Sequence, residues 1–132
     1  MNKKIIFLII SAFILLSFTP VSNAQKPEFT SITISPQEKW LDQPVNITAI
    51  ITSDSEILLA KINIQYEKNT TPYYNAIMKK ASDNTFYWNA TYEKAGTYKF
   101  FIWAKNKNNY ENTSKLYNFT IINNHKPNPP SY

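Results

Sequence analysis

Apolar and polar residues alternate with a period of two along most of this chain, in short stretches closed by turn-forming residues. That period marks strands with one buried face, because successive side chains of a strand point to opposite sides of a sheet. Phe29 to Ser35 alternates with Ile32 and Ile34 on one side. Val45, Ile47, Ala49 and Ile51 alternate with Asn46, Thr48 and Thr52, and only Ile50 interrupts the polar side. Leu58, Ala60, Ile62, Ile64 and Tyr66 alternate with Lys61, Asn63 and Gln65. A weaker segment, Tyr73 to Lys79, sets Tyr74, Ala76 and Met78 inward. Phe86, Trp88, Ala90 and Tyr92 form the next inner row, and Tyr98, Phe100, Ile102 and Ala104 the one after it. Tyr117, Phe119 and Ile121 close the series. The breaks at Pro36 to Pro44, Ser53-Asp54-Ser55, Lys68 to Pro72, Ser82-Asp83-Asn84, Ala95-Gly96 and Asn106 to Ser114 carry turn chemistry. No helical repeat is sustained after residue 24. Seven short strands, each with one polar face, predict an all-β sandwich of two antiparallel sheets.

The absences in the composition narrow the chemistry. The 132 residues suit one domain. Without Cys there is no disulfide, thiolate nucleophile or Cys-ligated metal. The single His, His125, lies beyond the last strand, which removes most imidazole-based catalysis and metal binding. One Gly cannot build a Gly-rich phosphate loop. The carboxylates are scattered through turns and polar faces, and no two can be set across one bond as glycoside hydrolysis needs. Asp54, Glu56 and Asp83 stand at loop ends without an EF-type spacing, so no metal and no cofactor are expected. The sequence predicts a protein that is not an enzyme.

The amino terminus carries an address. Lys3 and Lys4 precede an apolar run from Ile5 to Phe18, then Pro20, then Ser22-Asn23-Ala24 with small residues ahead of Gln25. This is the three-part pattern of a secretory signal peptide over residues 1–24, cut after Ala24. The apolar run of 14 residues is shorter than the roughly 20 needed to span a hydrocarbon core, which argues against a retained anchor. No Cys follows it, so no lipid anchor is expected there, and no second spanning stretch occurs. The expected product is secreted or displayed on the cell surface, without a membrane span. Setting Lys3 and Lys4 aside leaves 12 Lys against 9 acidic residues, and the formal charge drops from +5 to +3. The lysines are dispersed and there is no Arg for bidentate phosphate or base contacts, so nucleic acid is not an expected partner.

The segment Glu93-Lys94-Ala95-Gly96-Thr97-Tyr98-Lys99-Phe100 resembles the tyrosine corner of immunoglobulin-like sandwiches, in which a Tyr hydroxyl pins the preceding turn. Tyr98, Gly96 and Glu93 are its expected members. Asp42-Gln43-Pro44-Val45-Asn46-Ile47-Thr48-Ala49 is similar to the second strand of prokaryotic immunoglobulin-like surface domains, with its Val-x-Ile-x-Ala pattern. Thr52-Ser53-Asp54-Ser55 leading to Ile62-Asn63-Ile64-Gln65-Tyr66 is similar to their Asp-Ser turn and third strand. The run Tyr98 to Ser114 is similar to their Tyr-x-x-Ala-x-Asp-x-x-Gly-Asn ending, with Asn106 standing for the Asp and Asn109 for the turn Gly. The resemblance covers roughly residues 29 to 122. It implies an immunoglobulin-like sandwich over residues 25–122 acting as a spacer or adhesive module, with no catalytic position. It also implies that a loop calcium site is weakened, because an amide replaces a carboxylate. The Pro- and Asn-rich tail, residues 123–132, resembles the linkers that join such domains.

Two sets of residues stand out as sites. Phe101 and Trp103 are out of phase with the inner row Tyr98, Phe100, Ile102 and Ala104, so they point outward, with Tyr73 as a neighbour. Outward rings on an exported sandwich suit a glycan or a cell-surface protein, and the alternative to a spacer is a carbohydrate-binding module built on them. An exposed coplanar strip would favour sugar; burial would remove it. Five Asn-x-Ser/Thr sequons, at Asn46, Asn69, Asn89, Asn112 and Asn118, offer glycan attachment sites where the host has the machinery.

Overall fold

A computed structural model of the chain describes residues 25–70 and 72–123. Residues 1–24, expected to be a signal peptide, and residues 124–132 of the expected tail, with His125, lie outside the described residues.

These residues form an all-β sandwich of two antiparallel sheets. Nine strands are described: β1 (Glu28–Ser35), β2 (Val45–Thr52), β3 (Ile57–Tyr66), β4 (Tyr74–Ile77), β5 (Lys79–Lys80), β6 (Thr85–Ala90), β7 (Gly96–Asn106), β8 (Glu111–Thr113) and β9 (Tyr117–Ile121). One sheet runs in the order β1-β2-β6-β5. In the other, β4-β3-β7 is continued by β8 against the end of β7 and by β9 against its start. The expected inner rows meet between the sheets. Val45, Ile47, Ala49, Ile51 and Phe86 from the first sheet face Ile62, Ile64, Phe100, Ile102, Ala104 and Phe119 from the second, all buried. Alternation thus puts the β-branched and aromatic side chains where removal from water contributes about 25 cal/mol per Å² of apolar surface.

The structure corrects the expected pattern in four places. The stretch Tyr73 to Lys79 is two strands, not one. Its first half pairs with β3, the Met78 amide donates to the Ala60 carbonyl at 2.9 Å, and Lys79–Lys80 then pair with Phe86 and Tyr87 in the opposite sheet. Met78 plugs the core at the crossing and is buried. Leu58 is exposed and Ile57 takes its inward place, because a bulge between Ile57 and Leu59 inserts one residue and reverses the phase. Tyr74 keeps the inward phase but is exposed, since it sits at an open end of the sandwich. Finally, β8 forms within the Asn-rich stretch Asn106 to Ser114, which the sequence predicts as a turn. It raises the strand count, together with the split, from seven to nine.

The turn between β7 and β8 depends on Asn. Asn109 adopts a φ of 66°, the left-handed region that Asn tolerates better than other non-Gly residues. Its amide donates to the Asn106 carbonyl at 3.0 Å. Among the described residues, no helix is long and apolar enough to cross a membrane.

Candidate functional site

The outer face of the larger sheet collects the outward aromatics. Phe101 and Trp103 are two apart on β7, so both leave the core side that Phe100, Ile102 and Ala104 occupy. Asn63 lies opposite Phe101 and Lys61 opposite Trp103 on β3, and Asn75 of β4 lies opposite Asn63. Together Lys61, Asn63, Asn75, Phe101 and Trp103 line a shallow cavity of about 280 Å³. Asn75 Nδ2 donates to Asn63 Oδ1 at 2.7 Å, which orients both amides and leaves Asn63 Nδ2 and Asn75 Oδ1 outside that bond. Lys61 Nζ stands 5.6 Å from the centre of the Trp103 ring. Tyr73 packs edge-on against Phe101, with centroids 5.2 Å apart and planes at 62°. The three aromatics are therefore half-buried and not coplanar. Lys61 and Tyr73 cover part of the rings, and one shallow pocket replaces a flat strip.

A second concavity opens at the end of the sandwich between β3, β4 and β6. It holds about 480 Å³ and is lined by the rings of Tyr66, Tyr74, Trp88, Tyr92 and Tyr98. Period-two reading assigns Tyr66, Trp88, Tyr92 and Tyr98 to the core, and Tyr92 and Tyr98 do pack there, with centroids 4.6 Å apart. The same rings nonetheless line this open concavity. The Trp88 indole nitrogen and Tyr92 hydroxyl are buried and complete no hydrogen bond.

Burial pushes the Tyr92 hydroxyl up to about 12, with the facing Trp88 N–H opposing the rise and Tyr98 adding to it. Burial also raises Tyr98. An unfolded tyrosine ionises near 10, so between 10 and about 12 the folded state holds protons the unfolded chain has lost. Stability must fall as pH rises through that window. Thermal melts across it are expected to show a dropping midpoint, and Tyr92→Phe to flatten part of the drop. The Tyr92 hydroxyl faces the Trp88 N–H without completing a hydrogen bond, so Tyr92→Phe is also expected to change neutral-pH stability by no more than about 1 kcal/mol.

The turn before β7 is pinned twice. The Tyr98 hydroxyl donates to the Lys94 carbonyl and the Tyr66 hydroxyl to the Ala95 carbonyl, each at 2.9 Å. Gly96 follows with a φ of 133°. Glu93 is exposed and lines the end cleft, outside these two bonds. Of the sequon asparagines, Asn69, Asn89 and Asn118 are exposed. Asn46 donates to the Thr48 hydroxyl at 2.9 Å and Asn112 to the Pro27 carbonyl at 2.8 Å, so both amides are engaged. The loop-end acids stay apart in function: Glu56 pairs with Lys80 at 3.1 Å and Asp54 with the Gln25 amide at 2.9 Å. Among the described residues, no group of three acids or His is arranged to hold a metal.

With nine strands, the sheet switch at Met78 and the doubly pinned turn in view, the architecture can be placed. The described residues form an immunoglobulin-like β-sandwich. A superoxide reductase (neelaredoxin) from Ignicoccus hospitalis superposes with a TM-score of 0.53 at 9% identity, covering 76% of this chain and 83% of that one. CopC from Methylosinus trichosporium superposes at 0.50 with 11% identity, covering 73% and 98%. The PKD domain of an M14-like peptidase from a Thermoplasmatales archaeon gives 0.49 at 21% identity, covering 74% and 95%. At such identities the likeness is one of fold alone. No protein-family model matches the sequence, and no curated protein does.

Proposed function

We propose that this chain is an exported, non-catalytic adhesive module of the cell surface that holds a glycan on the outer face of its larger sheet. One observation carries the reading: Phe101 and Trp103 share a cavity with the hydrogen-bonded amides of Asn63 and Asn75. A sugar ring has apolar C–H faces that stack on aromatic rings and hydroxyls that need paired donors and acceptors at its rim. Strands present both, so the groups are held by the sheet and not by loops. Export is supported by the Lys3-Lys4 start, the apolar run and the Ser22-Asn23-Ala24 cleavage pattern.

A spacer without ligand is the second reading, favoured by the partial covering of the rings by Lys61 and Tyr73. The test applies the purified protein to a glycan array and to isolated cell envelopes. Trp103→Ala and Phe101→Ala are each expected to weaken glycan retention about tenfold, or about 1.4 kcal/mol. Tyr74→Ala, in the end cleft, is expected to leave it unchanged. Equal retention on envelopes by all four proteins, with no glycan bound, would leave the spacer reading standing and remove this one.

A further inference from the structure

The first described residues are tied down by a closed ring of hydrogen bonds. The Gln25 backbone nitrogen donates to Asp54 Oδ2 at 2.9 Å, and the Gln25 carbonyl accepts from Asn106 Nδ2 at 3.1 Å. Asn106 Nδ2 also donates to Ser53 Oγ at 2.9 Å, and Ser53 Oγ donates to Asp54 Oδ1 at 3.4 Å. Four bonds thus run from Gln25 through Asp54, Ser53 and Asn106 back to Gln25. Two residues later Pro27 is fully buried, and its carbonyl accepts from Asn112 Nδ2 at 2.8 Å. A hollow of about 220 Å³ beside Gln25 is lined by Glu28, Thr52, Ser53 and Asp54, two acidic and two hydroxyl-bearing residues.

We infer that this hollow is a docking site for the protein's own amino terminus, the Gln25 ammonium produced by cleavage after Ala24 resting on the Asp54 carboxylate. The inference rests on the export reading above. An amide nitrogen brings one N–H, and a single acceptor would serve it. An ammonium brings three and a positive charge, which the carboxylates of Asp54 and Glu28 and the hydroxyls beside them suit. A charge-assisted bond to Asp54 is also stronger than the amide bond it replaces.

The docking has a covalent consequence. A free amino-terminal Gln cyclises when its neutral amine attacks the side-chain Cδ. A new C–N bond closes the five-membered lactam, the Cδ–Nε2 bond breaks, and ammonia leaves. Only the unprotonated amine attacks, and a carboxylate at hydrogen-bond distance favours the protonated form. The grip of Asn106 on the Gln25 carbonyl further restricts the approach. The docked terminus therefore resists cyclisation.

The experiment expresses the full chain with its leader in a secreting host. Amino-terminal sequencing and intact mass then follow the purified product over time. The expected product starts at Gln25 and keeps an open terminus, while Asp54→Asn, a change at an exposed side chain, folds normally and cyclises several-fold faster. Equal cyclisation rates for the two proteins, both starting at Gln25, would overturn the docking site alone. A product that keeps its leader or starts elsewhere would overturn the export reading and the docking site together, and the first residue tells the two failures apart.

Discussion

Asn106→Ala is expected to destabilise the fold by about 4 kcal/mol, measured by urea or thermal unfolding. Its side chain is 0% exposed, and every bonding direction of the amide is used. Nδ2 donates to the Gln25 carbonyl and Ser53 Oγ, while Oδ1 accepts from the backbone amides of Asn108 at 3.1 Å and Tyr110 at 3.0 Å. One residue therefore joins the amino-terminal segment, the loop between β2 and β3, and the turn between β7 and β8. Truncation to Ala leaves these groups without their partner and opens a cavity, and each buried unsatisfied group costs about 1–3 kcal/mol. Against a typical domain stability of about 5–15 kcal/mol, the loss is a large fraction of the whole. Asn106→Asp is a sharper probe. It keeps both acceptors for Asn108 and Tyr110 but points a carboxylate oxygen at the Gln25 carbonyl, so a loss of about 2–3 kcal/mol is expected at neutral pH.

Gly96→Ala is expected to cost about 2–4 kcal/mol, from two independent causes. At a φ of 133° the backbone occupies a region that residues with a Cβ rarely adopt. A Cβ built there also falls 2.8 Å from Tyr66 Cε2 and 2.9 Å from its hydroxyl oxygen. Tyr66 can yield only by giving up its bond to the Ala95 carbonyl and shifting against Tyr98, whose ring centre is 5.1 Å away. The first cause alone would make Gly96→Ala as costly in a Tyr66→Ala background. Relief of the second there should recover about 1 kcal/mol, which a double-mutant cycle measures. Tyr98→Phe removes only the bond to the Lys94 carbonyl and is expected to cost about 1 kcal/mol.

Much of the fold was legible because alternation depends on local sequence alone. The phase of Val45 to Ile51, of Ala60 to Ile64 and of Tyr98 to Ala104 follows directly from which face must leave water. The failures share one cause, which is that phase and pairing are settled by neighbours distant in sequence. Nothing within the sequence around Leu58 announces the bulge that turns Ile57 inward; it is imposed by the register of β3 on β7. Met78 reads as one more inner residue, yet it marks where the chain leaves one sheet for the other. The three residues of β8 are too few to alternate visibly inside an Asn-rich run. Likewise Asn106 reads as a substituted turn residue, whereas its partners Gln25 and Ser53 lie 81 and 53 positions away. Phe101 and Trp103 were legible as outward from their phase, but the asparagine pair that completes their cavity comes from two other strands. The end cleft was hidden because an inward phase cannot tell a packed ring from one at an open end of the sheets.

The glycan-binding claim is tested most directly by titrating isotope-labelled protein with envelope oligosaccharide fragments and mapping the amide and side-chain shifts by NMR. The expected result is a contiguous set of changes at Lys61, Asn63, Asn75, Phe101 and Trp103, with the Asn63 and Asn75 side-chain amides moving together and Trp88 and Tyr92 unmoved. Changes centred on Trp88, Tyr92 and Tyr74, or no changes at saturating sugar, would contradict it.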